Sequence, residues 1–255
     1  MRNLFDVEGK VVLVTGGSRG IGEMIATGFV KNGAKVYISS RKAKVCDALA
    51  EELSAHGTCI SLPFDLGGMS GIEGLAAAIA EREPKLDVLV NNAGATWGAP
   101  IDEYPEDGWD KTMDLNTKSI FFLTQKLLPQ LRAAATHEQP SRVINITSVN
   151  GIRPLAMENY AYSTSKAGCI MLTRHMAKRL APEHILVNAI APGPFESHMM
   201  AATLARAGDA IAKSNPRGRI GTPEDIAGVA IFLASRASAY TTGAVVPCDG
   251  GEAEF

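Results

Sequence analysis

The chain has 255 residues, of which 46% are hydrophobic and only 20% charged, so it can bury a large core and stay soluble. A formal net charge of −2, with basic residues spread along the chain, leaves no concentrated basic surface for nucleic acid. Cys46, Cys59, Cys169 and Cys248 form no C-x-x-C, the five histidines show no metal-ligand spacing, and no run approaches transmembrane length. Met1–Asp6 lacks the apolar stretch of a signal peptide, and the expectation is a cytoplasmic protein with reduced thiols, no metal and no membrane partner.

In chain order, short apolar runs alternate with amphipathic segments. Strands are predicted near 11–15, 35–39, 58–62, 87–90, 142–147, 185–190 and 244–247, and helices near 20–32, 43–55, 70–82, 106–133, 160–181 and 223–234. Repeated βα units predict an α/β fold with a parallel sheet of about seven strands, doubly wound, with helices on both faces. No linker is long enough to separate domains, so residues 1–255 read as one domain. Two stretches read as loops: Ala135 to Ser141, and Gly193 to Arg219, the latter of mixed helix and loop character.

The first predicted strand, Val11 to Val14, stops at Thr15-Gly16-Gly17-Ser18-Arg19-Gly20-Ile21-Gly22, and Ile21, Met24, Ile25, Phe29 and Val30 follow at helical spacing. Strand, glycine turn and helix place backbone N–H groups where a phosphate can meet them. The spacing is G-x-x-x-G-x-G, not the dinucleotide fingerprint G-x-G-x-x-G, and a tight turn with close helix packing explains it equally well. Further along, Tyr162 and Lys166 in Y-S-T-S-K are four residues apart, which puts a phenol and an ammonium on one helix face. A free phenol titrates near pH 10, so using one near neutrality requires about 4 kcal/mol of preferential stabilisation of its phenolate, which a neighbouring cation helps to supply. Tyr160 is a rival, but Thr164 stands four residues beyond it and it lacks the charge partner.

Together these motifs resemble the short-chain dehydrogenase/reductase family over essentially the whole chain. Thr15 to Gly22 is similar to that family's T-G-x-x-x-G-x-G loop, Asn91-Asn92-Ala93-Gly94 to its N-N-A-G segment, and Tyr162 to Lys166 to its Y-x-x-x-K. Ser148, Asn116 in M-D-L-N, Pro192-Gly193 and Asp249-Gly250-Gly251 also fall where the family keeps typical residues. The resemblance implies a Rossmann-type fold and a catalytic set of Asn116, Ser148, Tyr162 and Lys166. It also implies a dinucleotide held by Gly16, Ser18, Arg19, Gly20, Ile21 and Gly22, by Asp65 and Leu66, by Asn92, Ala93 and Gly94, by Pro192 and Gly193, and by Tyr162 and Lys166. The 193–219 region is implied to cover the substrate. Plainer readings stand beside these: Ser148 as a turn residue after a strand, Asn116 as a helix cap or kink, Asp65 as turn chemistry in D-L-G-G. Trp97 reads as a pocket wall or as packing under a loop, and His198 as a substrate contact or a solvent-facing residue.

The turn after the second strand selects the cofactor. An acidic residue there binds a free ribose 2′-OH, whereas arginine accommodates a 2′-phosphate. Here Val36-Tyr37-Ile38 is followed by Ser39-Ser40-Arg41-Lys42, with nothing acidic. Arg19 from the glycine loop and Arg41 after the strand, with Ser40 beside them, would make a cationic fork suited to phosphate, the plainer reading being two solvated surface arginines, and NADP(H) is expected. Reducing a ketone builds negative charge on its oxygen, so the site needs a hydrogen-bond donor (Ser148) and a proton donor (Tyr162) there. By resemblance, Lys166 also holds the nicotinamide ribose, and Asn116 holds a water that leads to solvent.

Within the family, the T-G-G-S-R-G-I-G loop and the C-D-G-G ending look most like 3-oxoacyl carrier-protein reductases, which reduce a 3-oxoacyl thioester with NADPH. An alcohol, polyol or sugar dehydrogenase, or a non-catalytic NADP(H)-binding sensor, remains open on the same scaffold. Ile120, Phe121, Phe122, Leu123, Leu127 and Leu128 in one helix, and Ile170, Met171, Leu172 and Met176 in another, place apolar side chains on nearly every side. One face would cover the sheet and the other a neighbouring subunit, and the resemblance implies a homotetramer.

Overall fold

The computed structural model describes residues 3–154, 157–197 and 200–253. Among them, seven strands make one sheet: β1 (Val11–Thr15), β2 (Lys35–Ser39), β3 (Cys59–Ser61), β4 (Val88–Asn91), β5 (Ser141–Ile146), β6 (Ile185–Pro192) and β7 (Val245–Cys248). Their order is β3-β2-β1-β4-β5-β6-β7 and every pairing is parallel. The helices are α1 (Gly20–Lys31), α2 (Ala43–Ser54), α3 (Met69–Arg82), α4 (Glu106–Met113), α5 (Ser119–Ala134), α6 (Tyr160–Leu180), α7 (Ala201–Ser214) and α8 (Pro223–Ala234). This is the doubly wound α/β architecture expected from the alternation of apolar runs.

Side-chain alternation divides the core. Val12, Val14, Val36, Ile38, Val88 and Val90 point to one face and pack with Ile25, Phe29, Leu49 and Ile226 of α1, α2 and α8. Val11, Leu13, Tyr37, Leu89 and Val143 point to the other and pack with Leu75, Leu123, Leu127 and Met176 of α3, α5 and α6. A strand covered on both faces needs apolar residues at consecutive positions, which is why these runs do not alternate with polar ones.

Most predicted strand and helix ends fall within one or two residues of the observed ones, and two differences are of kind rather than length. The single helix expected over 106–133 is broken by a π-helical turn at Asp114–Lys118, between α4 and α5. Ser141, read as loop, opens β5, because its N–H bonds the His184 carbonyl and its neighbours pair with β6. In the 193–219 segment, α7 accounts for the helical part and carries a kink at Ala207.

The strand order reverses between β1 and β4, where the chain has left for β2 and β3 and returned on the other side. Such reversals open a crevice at the carboxyl ends of the two strands, the usual ligand position in open α/β sheets. Here those ends are Thr15 and Asn91.

Candidate active site

The glycine loop begins at the end of β1. Gly16 (φ 61°) and Gly20 (φ 56°) take left-handed conformations that other residues adopt with strain. A Cβ at Gly22 would lie 2.3 Å from the Gly16 carbonyl oxygen, so the start of α1 can approach the turn only as glycine. Arg19 caps α1 without a side-chain hydrogen bond, and no cap side chain occupies the place of an anion at the first turn. Ser18 is buried, Arg19 is exposed, and Ile21, in the first turn of α1, packs partly buried against the core.

One hydroxyl and one amide brace this loop against β4. Thr15 Oγ1 donates to the Val90 carbonyl (3.3 Å) and accepts from the N–H groups of Asn92 (2.9 Å) and Ala93 (3.0 Å). Asn92 Nδ2 donates to the carbonyls of Thr15 (2.9 Å) and Gly16 (3.1 Å). The Asn92 side chain is therefore engaged by the glycine loop itself. Ser40, at the end of β2, has a buried Oγ with no hydrogen-bond partner among the described residues, and Arg41 next to it is exposed. Asp65 Oδ1 accepts from Gly67 N (3.0 Å), which is the turn role weighed for it, and Leu66 is buried in the core with its side chain. Pro192 ends β6, and Gly193 N donates to the Cys248 carbonyl (3.1 Å).

Lys166 lies on α6, 4% exposed, with Nζ donating to the Ile146 carbonyl at the end of β5 (2.9 Å). That nitrogen is 5.5 Å from the centroid of the half-buried Tyr162 ring. Burial pushes the Cys169 thiol, one turn further along α6, up to about 11, so it stays neutral and does not compete for the Lys166 charge. Ser148 follows β5 and caps the short 3₁₀ turn Val149–Gly151, its Oγ accepting from Asn150 N at 3.2 Å. Gly151 sets that turn directly on α6: a Cβ there would lie 2.7 Å from the carbonyl carbon of Lys166. The serine turn and the Tyr162–Lys166 face are thus held in backbone contact.

Asn116 sits fully buried in the π turn. Its Oδ1 accepts from Ala95 N (2.8 Å), and its Nδ2 donates to the Ala95 carbonyl (2.9 Å) and to Ser165 Oγ (2.9 Å). The side-chain amide is spent on joining the segment after β4 to α6. Gly94 lies between: a Cβ there would be 3.2 Å from Asn116 Oδ1 and 3.7 Å from Lys166 Nζ. Behind these residues Asn91 Nδ2 donates to Asn145 Oδ1 (2.9 Å), and Asn145 Nδ2 to Thr173 Oγ1 (2.9 Å), a buried polar rung across β4, β5 and α6.

Trp97 packs on α4, where a Cβ at Gly108 would strike its ring at 2.7 Å, and Tyr160 turns away into a T-shaped contact with Tyr104. His198 lies outside the described residues. Thr15 was legible as the first residue of the glycine-loop motif but not in its contacts to β4, whereas Gly151, Ser165 and Asn145 were not singled out from the sequence. Only Gly151 carried a local signal, as a small residue after a turn-forming Asn150. Among the described residues, no group of His, Cys, Asp and Glu could hold a metal ion, and no helix is long and apolar enough to cross a membrane.

A family profile described as enoyl-(acyl carrier protein) reductase matches residues 16–252. The rhamnolipids biosynthesis 3-oxoacyl-[acyl-carrier-protein] reductase of Pseudomonas aeruginosa is 49% identical over 253 residues, covering 98% of this chain and 99% of that protein. The 5-keto-D-gluconate 5-reductase of Escherichia coli K12 is 33% identical over 255 residues, covering 98% of each. Among solved structures, the Pseudomonas aeruginosa RhlG/NADP active-site complex superposes with a TM-score of 0.95 at 49% identity, covering 99% of this chain and 100% of that one. With its glycine loop, its Tyr162–Lys166 face and these matches along its length, the chain belongs to the short-chain dehydrogenase/reductase family.

Proposed function

We propose that this protein is an NADPH-dependent oxidoreductase that reduces a ketone to a secondary alcohol, with a 3-oxoacyl thioester as substrate and a 3-hydroxyacyl thioester as product. The observation that carries the reading is the seating of the Ser148 turn on α6 at Lys166, through Gly151, beside the Tyr162 ring. The 49% identity to a 3-oxoacyl-[acyl-carrier-protein] reductase supports the substrate class.

The residues fit a phosphorylated dinucleotide. The glycine cradle, the open first turn of α1 and the orphaned Ser40 Oγ beside Arg41 are the features such a group would occupy, and the RhlG structure is an NADP complex. Gly16 to Gly22, Ser40 and Arg41, Asp65 and Leu66, Asn92 to Gly94, Pro192 and Gly193, and Tyr162 with Lys166 would hold it, with Leu66 acting through its backbone. When bound, the cofactor supplies the hydride. Ser148 donates a hydrogen bond to the substrate oxygen as charge develops on it. Tyr162 delivers the proton to the same oxygen, and the Lys166 ammonium stabilises the phenolate left behind. Asn116 works as a positioning residue that fixes Ala95 and Ser165 around Lys166. The whole chain acts as one catalytic domain, with the 193–219 segment covering the substrate.

An oxidation assay of NADPH over acetoacetyl thioesters, simple diketones and keto-sugars tests this. Turnover confined to keto-sugars would move the assignment to the second reading, which the 33% identity to a 5-keto-D-gluconate reductase favours. No NADPH consumption with any carbonyl compound would leave a non-catalytic binding protein. We further read the enzyme as a cytoplasmic homotetramer. Phe121 on α5 and Met171 on α6 stand 40% and 61% exposed, as a subunit contact would require.

A further inference from the structure

Residues 249–253 gather three parts of the site that are far apart in the chain. Asp249, itself buried, turns this stretch on itself: Oδ1 accepts from Gly251 N (2.9 Å) and Oδ2 from Ala253 N (2.7 Å). Gly250 and Gly251 both have positive φ, 69° and 92°, and a Cβ at Gly250 would lie 2.2 Å from Asn215 Oδ1. Asn215 is the residue that follows α7, and it is 5% exposed. Its Nδ2 donates to the Asp249 carbonyl (2.7 Å), and its Oδ1 accepts from Arg217 N (2.9 Å).

At the other end of the covering segment, Gly193 packs on the same residue, with a Cβ position 2.8 Å from Asp249 Cα. The segment is therefore held on Asp249 at its start, Gly193, and again at Asn215, just after α7. Between them, none of the described side chains of α7 is buried. The segment is thus held at Gly193, at the buried Phe195 and at Asn215, and its helix is held by no buried side chain among those described.

The third connection leads to the catalytic side. Glu252 Oε1 lies 3.7 Å from Arg153 Nη2, with the carboxylate side chain 22% exposed. Arg153 N in turn donates to the Val149 carbonyl (3.0 Å), closing the turn that Ser148 caps. One short stretch thus touches Asn215 after α7 and the turn that Ser148 caps.

We propose that residues 249–253 are a clasp coupling the covering segment to the Ser148 turn, with Asn215 and Glu252 as positioning residues that set the serine when the cover closes on substrate. The inference rests on the roles given above to Ser148 and to the 193–219 segment. Asn215→Ala and Glu252→Gln, made singly and together in the full chain, test it by kcat and KM for an acetoacetyl thioester, NADPH affinity by fluorescence, and thermal unfolding. Each single variant is expected to lower kcat/KM by about threefold to tenfold, with NADPH affinity unchanged, and the pair to lose no more than the worse single, because neighbours in one network are not additive. Arg153→Lys keeps the charge facing Glu252 and should retain most of the rate. Losses that multiply in the double variant, or unfolding midpoints that fall while kcat and KM stay at the parent values, would overturn the clasp. If Asn215→Ala does not fold, Asn215→Ser takes its place in the same cycle. Ser148→Ala separates the layers: if turnover survives it, the reading of Ser148 fails; if turnover collapses while the cycle is multiplicative, only the clasp fails.

Discussion

At the scale of single residues, Tyr162 and Lys166 were legible because their relation is local: one helical turn fixes their common face whatever else the chain does. Tyr162→Phe removes the hydroxyl and little volume, so NADPH binding should persist while turnover falls more than about tenfold, or 1.4 kcal/mol of barrier. Steady-state kinetics beside a fluorescence titration of the cofactor measure both. Asn116 was legible as a residue but not in its contacts, since Ala95 and Ser165 lie 21 and 49 positions away. The cofactor turn offers a second test. Ser40→Asp with Arg41→Ala removes a charge-assisted hydrogen bond and sets a carboxylate against the 2′-phosphate, so relative kcat/KM should shift toward NADH by at least about tenfold. Parent protein that used NADH better than NADPH would contradict the reading of this turn. Arg142 illustrates a residue that sequence could not place. It is 3% exposed on β5, and it donates to the carbonyls of Leu233 (3.1 Å), Ser235 (3.1 Å) and Pro140. Burial draws its guanidinium down to about 10, still charged at neutrality. Arg142→Met would strand those acceptors and should lower stability by at least about 2 kcal/mol in urea titration.

At the scale of elements, the strands were legible because a sheet covered on both faces writes itself as continuous apolar runs, and the helices because their apolar stripe repeats every turn. The π turn was not legible, because inserting one residue into a helix alters a single hydrogen-bond register and leaves composition unchanged. Yet that turn carries Asn116 into the site. Gly151 is an element-scale contact of the same kind, the place where the serine turn rests on α6. Gly151→Ala places a methyl within 2.7 Å of a backbone carbon, and overpacking of this sort costs about 1–3 kcal/mol. Turnover should fall with it, and a crystal structure of the variant would show the turn lifted from the helix. Helix α8 starts with a capping box in which Asp225 accepts from Thr222 N (2.8 Å) and pairs with Arg219 (2.6 Å). Arg219 and the Thr222 amide hold the Asp225 carboxyl well below the usual carboxylate range. Its folded pKa is depressed, so its stabilisation is present above the unfolded value of about 4 and is lost as pH falls through the lower folded value. The Tm gap between the parent and Asp225→Asn should therefore be widest near neutral pH and shrink as the pH drops below about 4. A gap that grew on acidification would contradict the pairing.

At the scale of the whole molecule, the two long helices leave Phe121 and Met171 facing outward while Ile120, Leu123, Leu127 and Ile170 are buried. Light scattering at micromolar protein should return the mass of four 26.9 kDa chains, and Phe121→Asp with Met171→Asp should yield a smaller species. A monomer mass for the parent would remove the assembly. The overall chain path also divides the site into unequal halves. On one side, a single threonine hydroxyl fastens the end of β1 to the end of β4 at the point where strand order reverses, and the Asn92 amide closes the same seam. That half is a fixed jaw: it cannot widen without breaking the sheet from which it grows. The other half is α7, none of whose described side chains is buried. On the proposed role of the 193–219 segment as the substrate cover, the pace of turnover should respond to substitutions on this one surface helix that leave every reacting group in place, which kcat measured for such variants would show.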